Sequence, residues 1–414
     1  MIKKALALFL AVLLICLCGC SGEAQNSSAT DATSSKPEGD SNMQVQIQVP
    51  QQIVPEVNDY QKHTYNLAEI TQYLKLDGRW ATARTSAEAG SVPCITFDHT
   101  AQLLAFNADC EGDVVLKLSS KSNNTQDVRN ERYYLVIVDG KESRIKTKID
   151  ANTESVNTIT LAKGLERGSH TFKIYRQTEL NFGYDNLISV TMNGVPTKRP
   201  DDSARYIEFL GDSVTAGFGN LTVRADDKEP SCPAKSSGTN TYAFKTAKAL
   251  GADISTVARS GLAYSYGLGS TIFDYWTKIS WARQSLGDYQ CQRQPDVVVI
   301  SLGTNDHNYY KQHDITEAQL YQVAYDLIKL VRESRPDSKI VWYYGIMGTG
   351  YDDDAGLRVK DYIARAIKDN GGEKANIYLC MSSFMNFDGG GWHPDQKGHE
   401  QGAKELTAFI EKII

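Results

Sequence analysis

The C-terminal part of the sequence predicts an α/β domain with a parallel sheet, because strand-like and helix-like segments alternate from residue 204 onwards. The strongest strand is 296–302, where an apolar run without polar alternation follows Asp296, as in strands that are buried on both faces. Residues 316–333 have the apolar period of an amphipathic helix. We therefore assign residues 199–414 to an α/β domain, and we expect its ligand site at the carboxyl ends of the strands.

The preceding region, residues 59–198, predicts an all-β domain. It contains short segments in which polar and apolar residues alternate, including 133–138 and 170–175, and hairpin-type turns such as Asp139-Gly140. A long helical period is absent from this part of the sequence. Strands at this spacing favour two packed sheets, as in a β-sandwich or jelly roll.

The first twenty residues predict an export signal. Two lysines precede an apolar run, 5–17, that is too short to favour a stable bilayer span. The run ends in Leu-Cys-Gly-Cys, which resembles a lipobox with Cys20 as the lipidated residue; an ordinary secretory signal is the alternative. Residues 21–58 are polar and predict a disordered tether. We expect an exported protein that is lipid-anchored on the outer side of the cell membrane.

Charge and cysteine usage narrow the possible partners. The formal net charge is −6, and no Lys/Arg-rich run stands out, so nucleic acid is not an expected partner. Three of the eight cysteines belong to the export segment, and the other five lie in no CxxC or Cys/His cluster, so a structural zinc site is not expected. Because five is an odd number, these cysteines cannot all form disulfides within one chain, and the sequence leaves their pairing open. A disulfide between Cys94 and Cys110 is one possibility. The five are Cys94, Cys110, Cys232, Cys291 and Cys380.

A serine directly after the first strand of the α/β domain is the candidate nucleophile. It closes the tripeptide Gly211-Asp212-Ser213, where a sharp strand-to-helix turn would expose the hydroxyl and direct backbone N–H groups into the same space. Gly211 permits the tight turn. Taken alone the tripeptide is weak evidence, because a helix N-cap serine has the same local sequence.

Two further strand ends carry groups that could stabilise an oxyanion. Gly261, after the strand that ends at Ala258, can offer its N–H without a side chain in the way, although a plain turn glycine is the simpler interpretation. Asn305 follows the strand 296–302, and its Nδ2 can donate into the same pocket. A donor aimed at the oxyanion of a tetrahedral intermediate contributes about 3 kcal/mol to catalysis.

His393, just before the last predicted helix at 394–413, is the candidate general base. An imidazole with its ordinary pKa of about 6.5 suits proton transfer near neutral pH. Asp395 is predicted to cap the helix, and His399 to pack or cap within it.

In this order the four motifs resemble the four sequence blocks of the SGNH (GDSL-type) hydrolases. The resemblance implies a flavodoxin-like three-layer fold for residues 199–414, with Ser213 as nucleophile and His393 as base. It implies an oxyanion hole made by the N–H groups of Ser213 and Gly261 and the side chain of Asn305. It implies neither a metal nor a cofactor.

One position departs from that family's pattern. The family usually has an Asp three residues before the His, and here that position is Gly390. The departure, with a β-sandwich in front, resembles carbohydrate esterase family 2, in which several members use a Ser–His dyad oriented by a backbone carbonyl. This implies the carbonyl of Gly391 as the orienting group, with Asp388 as the alternative. It also implies that Trp392 stacks on the sugar.

The resemblance, which covers residues 60–414, implies an esterase that removes O-acetyl groups from plant polysaccharide such as xylan or mannan through an acetyl-enzyme on Ser213. The expected partners are an acetylated polysaccharide or oligosaccharide and, through the lipid on Cys20 alone, the membrane. Two alternatives remain open. One is a lipase or thioesterase of the wider SGNH group, which would need an apolar acyl groove. The other is a non-catalytic glycan-binding protein of the cell surface.

Overall fold

The computed structural model describes residues 58–122, 130–150, 153–224, 232–265, 271–309, 314–347 and 359–414. The predicted signal peptide, Cys20 and all but the last residue of the predicted tether lie outside the described residues. The described residues cluster into one structural unit. Within them, no helix is long and apolar enough to cross a membrane.

The front region is built from antiparallel strands that hydrogen bonds join into one sheet. In the described residues its order is β3-β4-β9-β5-β8-β6-β7, with β1 paired to β9 and β2 paired to β5; the strands are β1 (Lys62–Asn66), β2 (Lys75–Asp77), β3 (Ala81–Arg84), β4 (Pro93–Phe97), β5 (Leu103–Lys121), β6 (Glu131–Val138), β7 (Lys141–Lys148), β8 (Glu154–Arg176) and β9 (Tyr184–Pro196). A short helix, α1 (Leu67–Ile70), follows β1.

This sheet curls around its main buried cluster, and two of its strands are long enough to contribute to it from both halves. β5 has 19 residues and β8 has 23, where the sequence predicts separate short strands. Their pairing is interrupted by register shifts between Cys110 and Val115, which allow both strands to bend. Phe106 in the first half of β5 and Leu116 in the second half therefore belong to the same buried cluster. The predicted pair of sheets is thus one continuous hydrogen-bonded sheet across the described strands.

The second region has the predicted parallel sheet, with helices between its strands. The sheet order is β11-β10-β12-β13-β14, and every neighbouring pair is parallel; the elements are β10 (Arg205–Gly211), α2 (Ser213–Ala216), α3 (Tyr242–Ala249), β11 (Ala252–Ala258), α4 (Ile272–Trp276), β12 (Val297–Ser301), α5 (Thr304–Tyr309), α6 (Glu317–Ser334), β13 (Lys339–Tyr344), α7 (Val359–Asp369), β14 (Ile377–Met381) and α8 (Gln396–Ile410). The α/β prediction from the alternation of segments is confirmed.

Both faces of this sheet are covered, which explains the unbroken apolar run in β12. Val298 and Ile300 pack in the cluster formed with α6 and α7, whereas Val297 and Val299 pack in the cluster formed with α3 and α8. Burying a side chain of this size contributes about 1.5–3 kcal/mol. Successive residues of a strand point to opposite faces, so a strand buried on both sides has no polar alternation.

A buried ion network fastens the front sheet to β10. Arg79, which follows β2, is fully buried, and its Nη2 donates to Oε1 of Glu208 on β10 at 3.0 Å. Nε of Arg335 donates to the other oxygen of the same carboxylate at 2.9 Å. The strand that leads to the candidate nucleophile is therefore held by a charged residue of the front region.

None of the five cysteines in the described regions forms a disulfide. Cys94 and Cys110 are each buried in the front sheet and do not bridge.

Candidate active site

The candidate nucleophile lies in a tight turn at the end of β10. The strand ends at Gly211, and α2 begins at Ser213, with the Asp212 carboxylate accepting the Val214 N–H at 2.9 Å as the helix cap. A Cβ on Gly211 would lie 2.0 Å from Oγ1 of Thr215, so only glycine fits there. Ser213 is buried, with 7% of its surface exposed to solvent.

The predicted site residues follow three neighbouring strands. β10 lies between β11 and β12; Ser213 follows β10, Gly261 lies in the loop after β11, and Asn305 is in the first turn of α5 after β12. The chain runs from β10 to one side and then returns to pair on the other side. In open α/β sheets ligands bind at such a reversal, outside the carboxyl ends of the strands.

His393 contacts the candidate nucleophile directly. Its Nε2 lies 2.7 Å from Ser213 Oγ, and its Nδ1 lies 2.9 Å from the carbonyl oxygen of Gly391. A carbonyl only accepts, so Nδ1 carries the proton in this contact, and Nε2 is left to accept the hydroxyl proton. The ring of Phe218 packs against the imidazole, with the centroids 4.6 Å apart.

An unusual backbone conformation brings that carbonyl to the imidazole. Gly391 and Trp392 both have positive φ, 59° and 63°. The left-handed conformation costs a non-glycine residue about 1–2 kcal/mol. Three backbone bonds hold the turn: the Gly389 N–H donates to the His393 carbonyl at 2.8 Å, the His393 N–H donates to the Gly390 carbonyl at 3.2 Å, and the Gly390 N–H donates to the Gly219 carbonyl at 2.9 Å. A strained tryptophan directly before the histidine is typical of a functional turn.

Asp388, the alternative orienting group, has a different neighbour. Its carboxylate accepts from Nδ2 of Asn386 at 3.3 Å, and its backbone carbonyl accepts from the Arg224 N–H at 2.7 Å. Of the two predicted candidates, it is therefore the Gly391 carbonyl that the fold brings to Nδ1 of His393.

A hydrogen bond connects the side chain of Asn305 to the loop that carries Gly261, so two of the predicted oxyanion donors are held together. Asn305 Nδ2 donates to the carbonyl of Leu262 at 2.8 Å, which uses one of its two hydrogens and fixes the loop just after Gly261. Gly261 has φ 81°, a conformation that favours glycine. Among the described residues, no hydrogen bond uses the N–H of Ser213 or of Gly261.

A buried carboxylate that the sequence motifs did not single out also holds this loop. Asp306 accepts from the Tyr264 N–H at 3.1 Å, from the Ser265 N–H at 2.7 Å and from the Ser265 hydroxyl. Burial raises the pKa of Asp306 to about 6, and it raises the pKa of Asp212 to about 7. Both carboxyl groups bond to backbone N–H groups, so they shape the loops on either side of the pocket.

The mouth of the site carries an exposed aromatic ring. The Trp392 side chain is 62% exposed, and Cζ of Arg224 lies 4.2 Å from its ring centre. Val223 and Met385 are further exposed apolar side chains. A tryptophan at this exposure presents a large flat apolar surface to a ligand.

A group of three carboxylates elsewhere has the spacing of a metal site, but it already holds a cation. Asp77, Asp202 and Asp253 lie within 4.8 Å of one another. Nζ of Lys75 lies 2.6 Å from Asp253 and 3.9 Å from the other two, and Arg293 contacts Asp253 at 2.7 Å. The lysine ammonium therefore occupies the position that a metal ion would take.

The two flanking predictions for the last helix are confirmed. Asp395 is the N-cap of α8 and accepts the Gly398 N–H at 2.8 Å. His399 is buried, burial lowers its pKa to about 3, and its Nδ1 accepts the Tyr242 N–H at 3.1 Å.

A serine hydroxyl bonded to an imidazole, with amide donors on the adjacent strand ends, is the arrangement that serine hydrolases use for acyl transfer. Residues 209–401 match the model of the GDSL-like Lipase/Acylhydrolase family. Residues 209–401 therefore belong to this family, the GDSL-type (SGNH) hydrolases, and the parallel sheet of this region is that of the SGNH fold.

Its curated relatives and structural neighbours include family 2 carbohydrate esterases. The chain is 31% identical over 301 residues to a cellulase/esterase, CelE, from Acetivibrio thermocellus; this match covers 69% of the chain and 34% of that relative. It is 26% identical over 278 residues to an acetylxylan esterase / glucomannan deacetylase from Cellvibrio japonicus, which covers 64% of the chain and 73% of that relative. The chain therefore spans about a third of the first relative's length and about three quarters of the second's.

Solved structures show the same fold over both regions. A family two carbohydrate esterase from Clostridium thermocellum in complex with cellohexaose has a TM-score of 0.69 at 23% identity and covers 82% of this chain and 98% of its own. An acetyl xylan esterase (Est2A) from Butyrivibrio proteoclasticus has a TM-score of 0.69 at 19% identity, and the match covers 85% of this chain and 98% of that esterase. These likenesses extend to the front sheet as well as the hydrolase region.

Proposed function

We propose that the protein is a carbohydrate esterase that removes O-acetyl groups from plant polysaccharide of the xylan or mannan type. The observation that carries this proposal is the 2.7 Å contact between Ser213 Oγ and His393 Nε2, directly beside the exposed ring of Trp392. The names of the curated relatives, a cellulase/esterase and an acetylxylan esterase / glucomannan deacetylase, support the substrate class.

The chemistry proceeds through an acetyl-enzyme. His393 takes the proton of Ser213 through Nε2 as Oγ attacks the acetyl carbonyl carbon. The N–H groups of Ser213 and Gly261 and the second hydrogen of Asn305 Nδ2 bind the oxygen that becomes negative. The imidazolium then protonates the departing sugar oxygen, which leaves as a hydroxyl. In the second half, His393 takes a proton from a water that attacks the acetyl-serine carbonyl, and it returns this proton to Ser213 Oγ as acetate leaves.

The Gly391 carbonyl orients His393 in place of a carboxylate. It accepts the Nδ1 proton at 2.9 Å and so fixes the tautomer that leaves Nε2 free for the serine proton. A neutral carbonyl stabilises the imidazolium less than a carboxylate does, so the oxyanion donors carry more of the catalysis. In this scheme Trp392 supplies a stacking surface for the sugar ring that bears the acetyl group.

We also propose a finer description of the whole chain. Residues 59–198 form a domain of the jelly-roll type, in which the one continuous sheet folds over so that both halves of β5 face the same core, and residues 199–414 form the hydrolase domain. The lipobox-like end of residues 1–20 supports export with a lipid on Cys20, and residues 21–58 then tether the domains to the outer face of the membrane.

The proposal is tested with nitrophenyl esters of increasing chain length. Wild-type protein is expected to hydrolyse the acetate ester faster than the octanoate, and Ser213→Ala is expected to hydrolyse neither above background. A preference for octanoate would indicate a lipase or thioesterase instead. Glycan binding without hydrolysis of any acetyl ester would indicate a non-catalytic binding protein.

A further inference from the structure

A carboxylate of the front region lies against the predicted oxyanion loop. Glu179, three residues beyond the end of β8, is 6% exposed. Its Oε2 accepts the Ser260 N–H at 2.9 Å, and its two oxygens lie 3.0 and 2.9 Å from the Ser260 hydroxyl. Ser260 immediately precedes Gly261, whose N–H is one of the proposed oxyanion donors.

The residue before Ser260 is held from the same side. Arg259 donates from Nε to the side-chain oxygen of Asn181, which also belongs to the front region. The Arg259 N–H donates to the carbonyl of Gly211 at 3.2 Å, at the end of the nucleophile strand. The peptide that leads into Gly261 is thus fixed on one side by the front region and on the other by β10.

The same front segment also holds the second loop beside the nucleophile. The backbone carbonyl of Gln177 accepts the Gly238 N–H at 2.9 Å, and Nε2 of the Gln177 side chain donates to the Thr239 hydroxyl at 2.6 Å. A Cβ on Gly238 would lie 1.7 Å from Oγ1 of Thr100, so the two regions touch with only glycine between them. The Ser237 N–H next to this contact donates to the carbonyl of Gly217 at 3.1 Å, at the end of α2.

We propose that Glu179 is a positioning residue for the esterase reaction: its carboxylate fixes Ser260 and thereby aims the Gly261 N–H at the oxyanion. The front region is then a structural part of the catalytic unit rather than a separable binding module. This inference rests on the proposed function, because it assumes the oxyanion hole described there. Glu179 itself touches neither the substrate nor the reacting atoms.

The energetic reason is the steep dependence of acyl transfer on donor geometry. A displacement of about 1 Å at a reacting group costs on the order of 10²-fold in rate, and loss of one oxyanion donor costs about 10²–10³-fold. Without Glu179, the Ser260 N–H and hydroxyl lose their shared acceptor and the loop can shift. Such a shift acts on the transition state, because the ground-state carbonyl oxygen does not depend on the same donor geometry.

The test compares two buried carboxylates of the front region in the full chain. Glu154, at the start of β8, is 3% exposed and bonds to Ser119 Oγ at 2.6 Å and Asn186 Nδ2 at 2.9 Å, both in the front sheet. We expect Glu179→Ala to lower kcat for 4-nitrophenyl acetate by about 10–100-fold with KM changed by less than about threefold. Glu154→Ala should lower the melting temperature yet leave kcat within about twofold of wild type.

Glu179→Gln keeps the test decisive if the alanine variant does not fold. The glutamine oxygen can still accept the Ser260 N–H, so we expect a smaller fall in kcat, about three- to tenfold, again with KM almost unchanged. Equal kcat values for the Glu179 variants and the matched Glu154→Ala and Glu154→Gln variants would overturn the inference. Ser213→Ala is measured alongside: if it retains full activity, the proposed function fails, whereas full activity of the Glu179 variants alone removes only this inference.

Discussion

The carbonyl oxygen of Gly391 lies 2.9 Å from Nδ1 of His393, in the position where many serine hydrolases have a carboxylate. The contact exists because Gly391 and Trp392 are both left-handed, with φ of 59° and 63°. The group that orients the imidazole is therefore neutral and belongs to the backbone.

This relationship predicts that Asp388 is dispensable for catalysis. Its carboxylate bonds to Asn386 Nδ2 at 3.3 Å. We expect Asp388→Ala to lower kcat by less than about tenfold, because neutralising a true triad carboxylate costs on the order of 10⁴-fold. The measurement is kcat on 4-nitrophenyl acetate, with His393→Ala as the reference for loss of the base. A loss of about 10⁴-fold would make Asp388 the third member of a triad.

A second prediction concerns the sugar-binding role of Trp392. Losing the contact of one large apolar side chain costs about 1.5–3 kcal/mol, which corresponds to about 10–100-fold in kcat/KM. We expect Trp392→Ala to show this loss on acetylated xylo-oligosaccharide and a change of less than about threefold on 4-nitrophenyl acetate, which has no sugar. Alanine keeps the Cβ, so the left-handed backbone is equally strained in both proteins. Met385→Ala, which removes another exposed apolar side chain, serves as the control. Equal losses on both substrates would mean that Trp392 supports the turn rather than the sugar.

A third prediction concerns the join between the front sheet and β10. Arg79→Ala leaves the buried carboxylate of Glu208 with one guanidinium instead of two. Breaking a buried pair costs about 3–5 kcal/mol, and we expect a loss of this size in the free energy of unfolding measured with denaturant. Lys198→Ala is the control, because it breaks an ion pair with Asp201 at the surface, where the Lys198 side chain is 77% exposed. This substitution should change the free energy of unfolding by less than about 1 kcal/mol. Similar small effects of both substitutions would mean that the network contributes little.

A fourth prediction follows from the buried N-cap of the nucleophile helix. Burial raises the pKa of Asp212 from its ordinary 3.8 to about 7. The folded state therefore favours the protonated carboxyl, and the stability that this gives is present below about pH 4 and is lost as the pH rises through 7. Asp212→Asn keeps a cap oxygen but stays neutral, so its stability relative to wild type should rise between pH 4 and pH 7. Melting curves at several pH values test this, and a constant difference between the two proteins would contradict it.

Most of the catalytic site could be predicted from the sequence, because Ser213 and Asn305 each lie close in the chain to the end of a strand. The run Gly211-Asp212-Ser213 follows β10, and Asn305 follows β12, so a parallel sheet brings them to one edge. His393 and the carbonyl of Gly391 are two residues apart, and the contact between them is local. The parallel sheet itself was predictable from the unbroken apolar run of β12.

What could not be predicted depends on contacts between distant parts of the chain. Glu179 and Ser260 are 81 residues apart, and nothing in either segment's pattern indicates that they meet. Asp306 adjoins Asn305 in sequence, but its role depends on Tyr264 and Ser265, which belong to another loop. In the front sheet, the bulges between Cys110 and Val115 interrupt the polar–apolar alternation, so one long strand has the pattern of two short ones.

Acetate release from O-acetylated xylan and glucomannan, followed by proton NMR, tests the central claim most directly. Wild-type protein should release acetate from at least one of these polymers, and Ser213→Ala should release it at least about 10³-fold more slowly under the same conditions. Equal rates for the two proteins would contradict the assignment of Ser213 as nucleophile. Binding of the glycan by the wild type without any release of acetate would contradict the esterase itself.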